Sequence, residues 1–117
     1  MEGTIGEIRM FAGNFGPRSW AICQGQILSI ATNTALFSIL GTTYGGDGQT
    51  TFALPDFRGR VALGAGQGPG LPDVSLGEMA GSPAVGITEG SKSSSTMPPY
   101  LGMNYIICLE GIYPSRN

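Results

Sequence analysis

Apolar and polar residues alternate over residues 5–12: Ile8, Met10 and Ala12 point one way, and Glu7, Arg9 and Phe11 the other. That period of two is the mark of a half-buried strand. The cluster Gly13-Asn14-Phe15-Gly16-Pro17 then turns the chain. Residues 20–23 and 27–30 read as two short strands joined around Gly25. Over residues 34–40 the period becomes helical: Leu36, Phe37 and Leu40 share a face, Asn33 stands at the capping position and Gly41 ends the helix. Residues 61–65 read as a brief extended piece. Residues 103–112 carry the strongest strand signal, with Met103, Tyr105, Ile107 and Leu109 on one face and Asn104, Ile106, Cys108 and Glu110 on the other. Apolar residues on both faces predict a central strand or one covered twice.

Between the helix and the later strands lies LGTTYGGDGQTTFALPDFRGR, residues 40–60, around which the rest of the chain is organised. It is too glycine-rich for a helix interior and too broken for a long strand. Gly45, Gly46, Asp47 and Gly48 shape a loop there, because glycine supplies backbone freedom at sharp turns and close approaches. Phe52, Leu54 and Phe57 pin the loop onto a core, and Pro55 sets one φ angle before Asp56. The Asp56 carboxylate fixes the loop by bonding backbone amides or pairing with Arg58 or Arg60. A long loop tied down by its own side chains behaves as a structural element.

From residue 67 to 95 Gly, Pro and Ser recur too often for any regular element beyond a turn or two, a stretch ordered by packing on a neighbour if at all. The expectation is one α+β domain over 1–117: a mostly-β unit with one short helix and long ordered glycine-rich loops. Residues 1–66 form its core, 67–97 the irregular segment and 98–117 the closing strand. Charged residues make up only 12% of the chain, about half the usual share of roughly 25%. So charge-poor a surface is expected to be covered by partner subunits.

The net charge of −2 and the scattered basic residues argue against a nucleic-acid partner. No apolar run approaches the ~18 residues of a membrane span, and no stretch has the form of a signal peptide. Export would then need lysis, a dedicated machine or trimming of a precursor. The chain has no histidine, so the usual general base and the commonest transition-metal ligand are missing. Cys23 and Cys108 are too sparse for a zinc site and read as two buried thiols, or as one disulfide if their strands are neighbours. The GGDG run lacks the Lys-Ser/Thr ending of a phosphate loop, and Asp47 with Asp56 falls short of a calcium loop's carboxylate density. The expectation is a non-enzymatic protein with no cofactor and no metal.

The stretch IGEIRMFAGNFGPRSWAICQGQILSIATNTALFSILGTTYGGDGQTTFALPDFRGRVALGAGQGPGL resembles the phage tail collar family, which includes the bacterial proteins labelled "microcystin-dependent". The closing MPPYLGMNYIICLEGIYPSRN is similar to that family's C-terminal strand. The resemblance implies a structural or attachment module of short tail fibres and related appendages, in intertwined homotrimers. Family members commonly carry a Met-Pro-x-His-x-His segment and a long insertion where this chain has EGSKSSST. The axial metal site and the receptor-binding head are therefore not carried over.

Two kinds of surface follow. Ile5, Ile8, Met103, Tyr105, Ile107 and Leu109 are the subunit-interface candidates, and the N-terminal residues before the first strand are free to add to a neighbour's sheet edge. Such a contact is head-to-tail, so the partner is a second copy in a homotrimer or a filament. Trp20, Tyr44, Tyr100 and Arg60 are candidates for contact with a cell-surface glycan, although a lone Trp beside a strand is more often core. The expected location is a virion tail or an extracellular appendage.

Overall fold

The structure is a computed structural model that describes residues 2–81 and 98–116. The chain runs through β1 (Ile8–Phe11), β2 (Trp20–Ile22), β3 (Ile27–Ser29), α1 (Thr34–Leu40), β4 (Thr51–Ala53), β5 (Gly66–Gln67), β6 (Asp73–Val74) and β7 (Asn104–Cys108). Among the described residues these form three small antiparallel sheets, β1-β7-β2, β3-β4 and β5-β6. This is the mostly-β domain with one short helix that the residue pattern predicts.

The last strand lies between the first two. Ile8 and Met10 stand opposite Ile107 and Tyr105 on one side, and Trp20 and Ile22 opposite Cys108 and Ile106 on the other. Ile106, Ile107 and Cys108 are all fully buried, so β7 is central and covered on both faces. Ile107 faces the larger core, built with Ile5, Cys23, Leu36, Leu40, Phe52 and Leu54. Ile106 and Cys108 face a smaller one completed by Trp20. The two cysteines are free thiols in different clusters on opposite faces of the sheet, which excludes a disulfide between them.

Several elements differ from the pattern's prediction. β1 starts only at Ile8, because Gly6 (φ 88°) turns the chain and Glu7 N–H bonds back to the Thr4 carbonyl at 2.9 Å. Its better-covered face carries Arg9 and Phe11, while Ile8 and Met10 look outward from an edge strand. β2 and β3 belong to different sheets, since Gly25 (φ 73°) redirects the chain between them. Asn33 precedes α1 but leaves the helix uncapped, its amide donating backwards to the Ser29 carbonyl at 3.0 Å. Gly41 does end the helix, its N–H reaching the Phe37 carbonyl at 2.8 Å. β7 stops at Cys108 because the next N–H, of Leu109, turns to the Ser19 carbonyl at 2.7 Å. Residues 61–65 form no strand, and pairing begins at Gly66, the last residue of the expected core, and runs on through Gln67 and Asp73–Val74 in the segment expected to be irregular. Residues 82–97, which include the EGSKSSST stretch, lie outside the described residues.

Candidate functional site

The loop between α1 and β4 is held from within. Gly46 (φ 94°) lies directly on β4, where a Cβ would run into the Phe52 backbone. The Gly45 carbonyl accepts from Ala53 N–H at 3.1 Å, and Gly48 N–H donates to the Thr51 carbonyl at 2.9 Å. Asp47 gathers the rest: Oδ1 accepts from the N–H groups of Gln49, Thr50 and Thr51 at 2.8, 2.8 and 2.9 Å, and Oδ2 from the Thr50 hydroxyl at 2.9 Å. Three backbone donors and a hydroxyl favour the charged form and hold the Asp47 carboxyl far below the usual carboxylate range. Both its oxygens are directed at the loop's own donors. The threonines that complete this arrangement are not singled out by composition; the signal is an Asp followed at three and four positions by Thr, the spacing of a side chain that mimics a backbone turn.

The second half of the loop is stapled to the β2–β3 connection. Phe57 N–H reaches the Cys23 carbonyl and Leu54 N–H the Gln26 carbonyl, both at 3.0 Å. Asp56 receives Arg58 in a fork, Nε to Oδ1 at 2.9 Å and Nη2 to Oδ2 at 2.7 Å, with the Arg58 N–H also donating to Oδ1 at 3.1 Å. The guanidinium bonds and this N–H bring the Asp56 carboxyl down to about 2. Arg60 donates instead to the Asp56 main-chain carbonyl, at 3.3 Å.

Of the interface candidates, Ile5 and Ile107 lie in the chain's own core. Tyr105 and Leu109 are packed against that core, Tyr105 stacked on Phe57 at 4.2 Å between ring centroids. Ile8 and Met103 remain exposed. The N-terminal residues are engaged within their own chain: Ile5 N–H donates to the Ile112 carbonyl at 2.8 Å and Ile112 N–H to the Gly3 carbonyl at 2.9 Å. Of the glycan candidates, Trp20 is buried, with Gly3 against its ring and the Arg9 guanidinium 4.9 Å from its centroid. Tyr44 is packed on the larger core, across the sheet from Trp20. Tyr100 and Arg60 are exposed. These four residues do not share one platform.

Residues 6–62, which hold the glycine loop and both aspartates, match the family model described as the Phage Tail Collar Domain. The chain carries a phage tail collar domain. The chain is also similar to the short tail fiber protein gp12 of Enterobacteria phage T4, 34% identical over 86 residues. That similarity covers 71% of this chain and 16% of the fibre protein.

At the end of the matched collar residues, the chain enters a segment whose large apolar side chains are mostly exposed. Val61, Leu63, Leu71, Leu76 and Met79 are between 61% and 76% exposed, and Tyr100 and Leu101 beyond them are 77% and 82% exposed. Among the described residues, strands β5 and β6 pair only with one another. This arm, residues 61–81, nevertheless touches the collar residues: Gly77 lies so close to Thr43 that a Cβ would collide with it. Beside the Asp56–Arg58 pair is a cavity of about 270 Å³ lined by Gln24, Phe57, Arg58, Met103, Asn104 and Tyr105 among others. Among the described residues no three His, Cys, Asp or Glu side chains group closely enough to hold a metal ion, and no helix is long and apolar enough to cross a membrane.

Proposed function

We propose that this chain is a non-enzymatic structural subunit that assembles with copies of itself in a phage-tail-like or extracellular appendage, as a closed trimer or as a filament protomer. The carrying observation is the outward-facing set Val61, Leu63, Leu71, Leu76, Met79, Tyr100 and Leu101. Large apolar side chains clustered on a surface mark a contact with another molecule. A chain with only 12% charged residues has few groups to keep such a surface solvated. The collar-domain match over residues 6–62 and the similarity to a phage short tail fibre protein support the same reading.

Native molar mass by light scattering across a range of concentrations tests it. A constant mass of three chains supports the closed trimer, and a mass that grows with concentration supports the filament. A single-chain mass at every concentration rejects self-assembly.

A further inference from the structure

We propose that the cavity between Arg58 and the start of β7 is a binding site for a neutral sugar, a single ring or the end of a glycan chain. The inference is independent of the self-assembly reading above. Unlike the scattered aromatic candidates, the side chains it uses share one recess.

Gln24, Arg58, Asn104 and Tyr105 bring polar side chains to the lining, and each has hydrogen-bonding capacity to spare. Among the described residues the Gln24 side-chain amide and the Tyr105 hydroxyl make no hydrogen bond. Asn104 uses only Nδ2, which donates to the Gly13 carbonyl at 2.7 Å, and keeps Oδ1 as an acceptor. The fork from Arg58 to Asp56 uses Nε and Nη2 and leaves Nη1. Among the described residues no buried side-chain nitrogen or oxygen lacks a partner, so these spare groups stand open to solvent where they line the cavity. They are also held in place before a ligand arrives: Arg58 by its fork, Asn104 by Gly13, Tyr105 by its stack on Phe57, and Gln24 by its bridge to Asp56. Such prearrangement limits the freedom lost on binding.

Charge decides the class of ligand. Arg58 is the only charged residue in the lining, and Asp56 already neutralises it. The recess therefore offers no net charge to an anion or a cation. It offers donors and acceptors side by side, which suits hydroxyl groups, since each both donates and accepts. Phe57, stacked on Tyr105 at 4.2 Å, and Met103 add apolar surface for the C–H face of a sugar ring. The volume of about 270 Å³ lies just below the ~300–1,000 Å³ of pockets for drug-sized ligands, which limits the occupant to about one ring.

Two-dimensional NMR of the isotope-labelled chain, titrated separately with glucose, galactose, mannose and N-acetylglucosamine, tests it. Saturable shifts of the Gln24 and Asn104 side-chain amide signals with one or more of these sugars are the expected result. Gln24→Ala and Tyr105→Phe should each weaken that binding about fivefold to tenfold. Their thermal midpoints should stay unchanged, since Tyr105→Phe keeps the stacked ring. No saturable shift with any of the sugars overturns the inference, and so does sugar binding that both variants leave intact, which belongs to another surface. Sodium acetate is the charged probe: shifts at the same amides that saturate at lower acetate than sugar concentration make this an anion site and also overturn it. Light scattering on the same samples keeps the two readings apart. Sugar binding by a protein of single-chain mass upholds the site and defeats self-assembly, and assembly without sugar binding does the reverse.

Discussion

Asp47 and Thr51 hold each other twice: Thr51 N–H donates to Asp47 Oδ1 at 2.9 Å, and Asp47 N–H donates to Thr51 Oγ1 at 3.1 Å. With Gln49 and Thr50 adding their donors, one carboxylate organises the turn that brings Gly46 onto β4. Asp47→Ala removes the acceptor of four donors and lowers the thermal midpoint at pH 7. Asp47→Asn keeps one oxygen and falls between alanine and wild type. Melting curves of the three proteins check this order, and equal midpoints would show that the turn forms without the carboxylate.

Acid should act through Asp56 as well. Its folded value of about 2 lies below the unfolded carboxylate value, which is about 3.9. The Asp56–Arg58 pair therefore contributes fully above about pH 4, and its contribution is lost as pH falls through about 2. Asp47 is shifted in the same direction and adds to the same acid-side loss. Thermal midpoints should fall from pH 5 to pH 2, and Asp56→Asn should be less stable at pH 7 with a shallower slope. Parallel curves for wild type and variant would remove the assignment.

Two glycines should respond differently to a methyl group. Gly41 (φ 56°, ψ −146°) has nothing within 4 Å of a Cβ, so Gly41→Ala carries only the cost of a backbone region that is essentially glycine's own, on the order of 1–3 kcal/mol. Gly46 (φ 94°) adds a collision with the Phe52 backbone, and Gly46→Ala should cost more than about 2 kcal/mol. Urea unfolding of both variants measures the difference.

Neither thiol should react in the folded protein. Burial pushes Cys23 up to about 12 and Cys108 in the same direction, and it also shields both sulfurs. A thiol reagent at pH 8 should titrate no cysteine in buffer and two in denaturant, with no change after reductant. One fast native equivalent would mean that one of the two strands opens.

Core and arm should also separate by substitution. Leu36, on the inner face of α1, is fully buried, and Leu36→Ala should cost about 2–5 kcal/mol. Leu63 is 74% exposed, so Leu63→Ser should change the stability of the isolated subunit by no more than about 0.5 kcal/mol. Denaturant curves at a concentration below assembly compare the two.

The residue pattern alone determines the local elements wherever periodicity and punctuation agree. The helix over 34–40 with its stop at Gly41, and the two-faced apolar strand that became β7, are legible because each depends on contacts within a few residues or on burial of both faces. The Asp56–Arg58 pair is legible for the same local reason. The tertiary structure decided what depends on distant partners. Alternation in residues 5–12 shows two faces but not which is covered, and only β1's position at a sheet edge turned Ile8 and Met10 outward. The cysteines have neighbouring strands, yet the pleat sends their side chains to opposite faces, which sequence separation does not encode. Residues 3–6 have the composition of a free arm, but pairing with Ile112 ties them down, while the glycine-rich segment after Arg60 became the uncovered arm instead. Composition shows that a segment is able to turn and extend; which surface it finally meets is decided by the backbone donors and acceptors that the rest of the fold has left unpaired.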